Sequence, residues 1–467
     1  MNSDYTLMKK KNIYILLLLA PVLFASCKVG KSYVRPEMAL PDSLMQQQDS
    51  ISIADEQWQA VYTDNTLRNL IARALEYNKD MLVAAARVKE MAAQKRISVA
   101  NLLPQLNGKI EAEREVENYG GHSRDVGNSY EAKALLSWEL DLWGNLRWKK
   151  VAAVADYLQS VESQRALRMT IVAEVAQAYY ELVALDTELE IVRQTQKARE
   201  EGVRLARIRF EGGLTSETSY QQAQVELASA SALIPELEQK IALKENQIAV
   251  LAGEYPSKVE RGEFDLNVTW PENIPIGLPS TLLQRRPDVR QAEQQLQAAM
   301  AAVGIAYADR FPRLTISLVG GLENDELKGF FESPFSYVSG NLVAPLLTFG
   351  KKKAQYKASL AAYDEKRFAY EQKVLEVFRE VNDAVITYRK KRRTSELQLN
   401  LFEAAQKYVD LAQLQYFNGV IRYIDVLDAH RKFFDAQIGL SNAVRDEYLA
   451  MVNLYKVLGG GWETSPI

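Results

Sequence analysis

From Leu146 to about Phe210 the chain reads as helix, with no proline and no interior glycine before Gly202. That is about 65 residues, close to 100 Å at 1.5 Å per residue. Gly212 and Gly213 mark a tight turn, and a second helical stretch returns from about Thr218 to Leu251. Pro235 within it is expected to kink or break the helix. An ordinary globular domain cannot bury two antiparallel helices of this size, so they belong in a long coiled-coil-like bundle.

Ahead of this pair the period changes. A helical pattern begins near Asn65, with Leu67, Leu70, Ile71, Ala74 and Leu75 on one stripe, and Pro104 closes it. In "SYEAKALLSWELDL" Tyr130, Ala132, Ala134, Leu136, Trp138 and Leu140 alternate with mostly polar neighbours, which argues a strand with one apolar face. "LNGKIEAER" from Leu106 is its partner across the loop "YGGHSRDVGN". Each arm reaches the roughly 9–11 residues of a tilted membrane strand. One hairpin alone leaves a soluble sheet packed on helices equally open.

The same programme is then written again. Pro312 falls on Pro104, Leu314 on Leu106 and Asp288 on Asp80 at an offset of 208; Gly350 falls on Gly144 at 206. "LTISLVGGL" and "FSYVSGNLVAPLL" supply a second hairpin, and a second long helix runs from Lys351 to about Phe417. Beyond the turn, Gly419 answers Gly213, Ala429 answers Ala223 and Ala436 answers Ala230, whereas Asp425 and Asp428 stand opposite Ser219 and Gln222.

The N-terminus reads as an export signal: Lys9–Lys11, then an apolar run from Ile13 to Phe24, too short to span a bilayer. It ends "LFASC", which looks like a bacterial lipobox with Cys27 as the lipidated residue; Phe24 departs from the usual Leu or Val. An ordinary signal with an incidental cysteine is the other reading. The expected organisation is a signal peptide over 1–26, a lipid-anchored tether over 27–60 and a first repeat over 61–253. A proline-rich linker over 254–283, a second repeat over 284–458 and a tail over 459–467 follow.

Composition excludes more than it assigns. Two histidines, His122 and His430, lie far apart without a metalloprotease spacing, and no phosphate-binding or nucleophile motif occurs, so neither an enzyme nor a cofactor is expected. A net charge of -3 gives no reason to expect nucleic acid. Four strands cannot close a membrane barrel, and an open edge is not tolerated in lipid. If the hairpins enter a membrane, several copies must pool them in a ring of heterologous contacts.

"WQAVYTDNTLRNLIARAL", "SWELDLWGNLR", "RRPDVRQAE", "RFPRLTISL", "GVIRYIDVLDAHR" and "LYKVLGGGW" resemble, in order, the signature segments of TolC-like outer-membrane efflux proteins. The likeness is to the lipoprotein members that serve resistance-nodulation-division (RND) pumps. It implies a mostly α fold with a membrane β part: a homotrimeric α-helical barrel continuous with a shared twelve-stranded transmembrane β-barrel, four strands per protomer. It implies a location in the outer membrane, lipid-anchored and reaching into the periplasm. The partners implied are a periplasmic adaptor protein and an inner-membrane RND transporter, with a tip that opens when they engage. An exit duct for metal-ion efflux or type I secretion is the alternative, as is a periplasmic coiled-coil structural or adaptor lipoprotein.

The same resemblance places Asp425 and Asp428 at the pore constriction. They are i, i+3 on the return helix and share a face, so threefold symmetry would make each a ring of carboxylates favouring cations. A plainer reading has both merely favouring a helix N-terminus, but the first copy, with Ser219 and Gln222, then ought to carry acids too. Tyr416 matches a family tyrosine that latches the closed tip, and Arg422 lies one residue past the family's latch arginine. Ser219 falls where some members carry the aspartate that accepts both, so the lock here would use a hydroxyl or Glu217. Plain helix packing is the other reading for Tyr416.

Overall fold

The computed structural model describes residues 28–40, 51–117, 125–262, 264–266 and 274–462. Cys27, His122 and most of the loop between the first two strands lie outside them. The elements run α1 (Asn65–Tyr77), α2 (Lys79–Ala100), β1 (Gln105–Glu117), β2 (Asp125–Leu140), α3 (Asn145–Glu211) and α4 (Glu217–Leu251). They continue as α5 (Pro279–Arg285), α6 (Pro287–Ala308), β3 (Arg313–Asn324), β4 (Pro334–Val343), α7 (Lys351–Phe417) and α8 (Tyr423–Val457). Two compact units divide them, one from the described residues within Met1–Met38, Arg87–Val161 and Gln291–Glu371, the other within Ala39–Ala86, Glu162–Arg290 and Gln372–Ile467.

The first unit holds the sheet. Its order is β1-β2-β3-β4, antiparallel throughout, so β2–β3 pairing fuses the two hairpins and leaves β1 and β4 as edges. Leu106, Leu136, Leu318 and Val338 face one another in one row across all four strands. They are 70%, 37%, 46% and 71% exposed, so among the described residues nothing covers this row of the apolar face. The other face carries the row Gln105, Ser137, Ser317 and Ser339 and the row Glu111, Glu131 and Glu323. No helix among the described residues is long and apolar enough to cross a membrane. The exposed apolar face therefore belongs to the sheet.

In the same unit the segment after residue 27 is docked. The Trp148 indole donates to the Val29 carbonyl at 2.6 Å and the Lys28 ammonium lies 3.3 Å from the ring centroid. A side chain at Gly304 would strike this ring, since a Cβ there would sit 2.3 Å from it. Lys28 and Val29, at the start of the tether expected over 27–60, are thus held against Trp148. In the second unit Ser52 caps a short 3-10 turn, and Trp58 and Tyr62 are buried in the core.

Two expectations about the helices need correction. The helix from Asn65 is not continuous to Pro104. It ends at Tyr77, where Asn78 Oδ1 accepts the backbone N–H groups of Asp80 and Met81 at 2.9 and 3.1 Å and starts a new helix. The Asn78 amide also donates to the Leu251 carbonyl at 3.0 Å. In the second copy Arg286 caps α5 and donates to the Val457 carbonyl, again at 3.0 Å. These are the same positions shifted by 208 and 206, so each break is tied to the last turn of its return helix. Conversely, α4 passes through Pro235 unbroken. The proline forfeits one backbone bond, and burial of Leu237 and Ile241 on one side and Ala230 on the other holds the helix through it.

The second unit's core is aromatic as well as aliphatic. Tyr180 and Tyr448 stack at 4.4 Å between centroids, and Tyr62 meets Tyr455 edge-on at 6.0 Å. Burial pushes all four phenols above their ordinary range, Tyr455 to about 12.

Candidate functional site

The two helical hairpin turns are built alike. At the end of α3 the Leu214 N–H returns to the Arg209 carbonyl at 2.8 Å, and at the end of α7 the Val420 N–H returns to the Gln415 carbonyl at 2.9 Å. Each is a Schellman-type closure whose left-handed position falls on a glycine, Gly213 at φ 72° and Gly419 at φ 73°. Glycine is needed there because a Cβ is strained at positive φ.

Beyond the second turn α8 begins at Tyr423 with Asp425 in its first turn. Asp425 Oδ2 accepts the Arg422 backbone N–H at 3.0 Å, and the Arg422 guanidinium is 3.9 Å away. The plainer role, closing the helix N-terminus, is therefore met at Asp425. Asp428 does not cap; it pairs with Lys432 one turn on, at 3.0 Å. Their side chains remain 42% and 47% exposed, so each chain presents two adjacent carboxylates on one face with one lysine beside them.

Tyr416 does not meet the residues paired with it from the sequence. Its ring lies against the Arg209 guanidinium, 5.3 Å to the centroid, and against Tyr423 at 5.6 Å. Arg422 is exposed and Ser219 half-buried, with its backbone N–H on the Ser216 carbonyl at 3.1 Å; Glu217 is exposed in the first turn of α4. Among the described residues no hydrogen bond or ion pair within one chain joins Tyr416 or Arg422 to Ser219 or Glu217. Among the described residues, one link between the repeats at this level is the Arg209–Tyr416 contact.

Sequence reasoning missed two charged clusters. One is Arg286, buried, which grips Asp288 at 2.6 Å and Glu380 at 2.7 Å while Lys373 adds a 2.8 Å contact to Asp288. Burial alone would raise the Asp288 carboxyl; the two cations outweigh it and hold it at about 2. The other is Glu226 on α4, reached by Arg199 of α3 and Arg431 of α8. The signal for Glu226 was its spacing, three residues from Ala223 and four from Ala230, both buried. Next to it His430 meets Gln413 at 3.0 Å, and burial, then Arg199, keeps it from protonating at its ordinary pH.

A family model described as outer membrane efflux protein matches residues 70–254 and 278–460. The outer membrane protein OprJ of Pseudomonas aeruginosa is 30% identical over 471 residues, covering 98% of this chain and 97% of its own length. SilC of Salmonella typhimurium, a probable outer membrane lipoprotein, is 29% identical over 456 residues, covering 94% of this chain and 97% of its own. The open state of the MtrE outer membrane channel of Neisseria gonorrhoeae has the same fold, with a TM-score of 0.85 at 27% identity. The match covers 93% of this chain and 98% of that one. With two long matched segments, each carrying a strand pair and its helices, the chain belongs to the outer membrane efflux protein family, whose members are outer-membrane channels.

Proposed function

We propose that this protein is the exit duct of a tripartite efflux system, a homotrimer that takes small molecules from an inner-membrane RND pump and a periplasmic adaptor and passes them through the outer membrane. The observation that carries it is the sheet: one uncovered apolar face, a polar face behind it, and two unpaired edges. A lipid-facing surface accounts for the first, a wet lumen for the second, and pairing of β1 with β4 of the next copy for the third. Three copies would close twelve strands. Cys27 would carry the lipid, in keeping with SilC, which is named a lipoprotein.

Within that assembly Asp425 and Asp428 form the constriction. Three copies bring six carboxylates to one narrow ring, where their field admits cations and opposes anions. Tyr416 and Arg422 act as latch residues, with Ser219 or Glu217 of the neighbouring hairpin turn as acceptors across the trimer. The decisive test is conductance of the purified protein in planar bilayers. Wild type forms a small, cation-preferring channel blocked by trivalent cations. Asp425→Ala with Asp428→Ala conducts more and loses the block; unchanged conductance and block would remove both residues from the pore.

A further inference from the structure

Glu226 is an acid that the reading above leaves idle, and the fold buries it to 9% exposure. Arg199 Nη1 donates to its backbone carbonyl at 2.6 Å, and Arg199 Nη2 lies 3.3 Å from Oε2. From the other side Arg431 Nε donates to Oε1 at 2.7 Å. The Arg199 guanidinium also covers the Phe434 ring of α8 at 5.4 Å. Three helices, α3, α4 and α8, thus meet on one carboxylate. The duplication does not account for it: 206 positions on, Glu226 becomes Lys432 and Arg199 becomes Ala405.

The contacts of α8 near its start fall into two kinds. Gln413–His430 and the cluster of Val409, Ala412 and Ala429 tie it to α7, its own hairpin partner. The Glu226 cluster instead ties it across to the other repeat. Arg431 is one helical turn from Asp428 and two from Asp425, and α8 is helical from Tyr423, so fixing residue 431 fixes the two turns that carry both acids. A buried carboxylate between two guanidinium groups has little tolerance for displacement, because moving either partner strands charge away from water.

We propose that Glu226, through Arg431 and Arg199, is a positioning residue for the pore acids: a fastener between the repeats that holds the start of α8, and with it Asp425 and Asp428, against the α3–α4 hairpin. This rests on the constriction proposed above. Any opening that moves the α7–α8 hairpin past α3–α4 must release the Glu226–Arg431 pair, while the α7–α8 contacts travel with the hairpin.

The test uses full-length protein in planar bilayers, with heat-modifiable migration as the control for assembly. Glu226→Gln and Arg431→Gln each raise resting conductance about twofold or more and weaken trivalent-cation block, and the double variant does no more than the larger single, as one shared link requires. Wild-type conductance and block in both single variants, with the oligomer intact, would overturn the fastener and leave the duct standing. So would strictly additive effects in the double variant. A wild-type protein that forms no channel would instead overturn the duct reading, and the fastener with it. Should Glu226→Gln fail to assemble, Arg431→Gln carries the same test, because its side chain is 44% exposed and tolerates the change.

Discussion

Asp425 and Asp428 are three residues apart, yet the fold treats them differently. Asp425 closes the helix start and Asp428 leans on Lys432 at 3.0 Å, so in the proposed constriction the lysine would offset part of the charge that a passing cation meets. Lys432→Ala should therefore tighten trivalent-cation block, by about twofold given how weakly exposed charges couple through water; single-channel titration measures it. Tyr416 yields a sharper choice. The contact it makes is through its ring, against Arg209, which a phenylalanine would keep. If the ring is the latch, Tyr416→Phe stays tight and Tyr416→Ala, or Arg209→Ala, admits an antibiotic normally too large for the outer membrane. Equal leakage from Phe, strongest when combined with Arg422→Ser, would return the role to the hydroxyl. The sequence singles out the acid pair because the duplicated segment lacks it. Glu226 was not, since its partners stand 27 residues before it and 205 after it.

Among the elements, the junctions are where charge does structural work. Arg286 links Asp288, Glu380 and the Val457 carbonyl, joining the start of α6 to α7 and to the end of α8. Arg286→Ala leaves the half-buried Asp288 with Lys373 and takes the Arg286 contact from the half-buried Glu380. It should cost about 3 kcal/mol, the low end for a broken buried pair because both carboxylates keep some water, read from denaturant unfolding of the helical signal in detergent. Asp288, depressed from 3.8 to about 2, contributes stability that is fully present above pH 3.8 and lost as pH falls through about 2. By the size of that shift the loss is about 2 kcal/mol. It should be smaller in Arg286→Ala, where Lys373 alone still faces Asp288, which a pH series on both proteins checks. The break at Arg286 could have been read from Pro287 behind it, which disfavours helix at the preceding residue. Its twin at Asn78 has no such mark; a side chain capping one helix and binding the end of another makes it. At Pro235, where a kink or a break is expected, the break is absent because packing on both sides overrules local propensity.

At the scale of the whole molecule the open sheet edges carry the consequence. Adjacent residues of an edge strand point their N–H groups in opposite directions, so Glu113→Pro with Arg114→Pro must remove one outward donor from β1. This variant should lose the heat-modifiable oligomer band in outer-membrane fractions while its helices still form. A normal oligomer would show that the edge is not an interface between copies. The sequence by itself determined most of the elements, though not the break at Asn78 or the unbroken passage through Pro235: period-two and helical patterns, glycine turns and the duplication all act over short range, through side-chain direction and backbone sterics. Only the tertiary structure decided that β2 pairs with β3 to make one sheet and that Glu226 and Arg286 are the residues where helices are tied. Those choices depend on groups distant in sequence sharing one desolvated space, and a buried charge or a strand edge finds its partner only when the chain has folded.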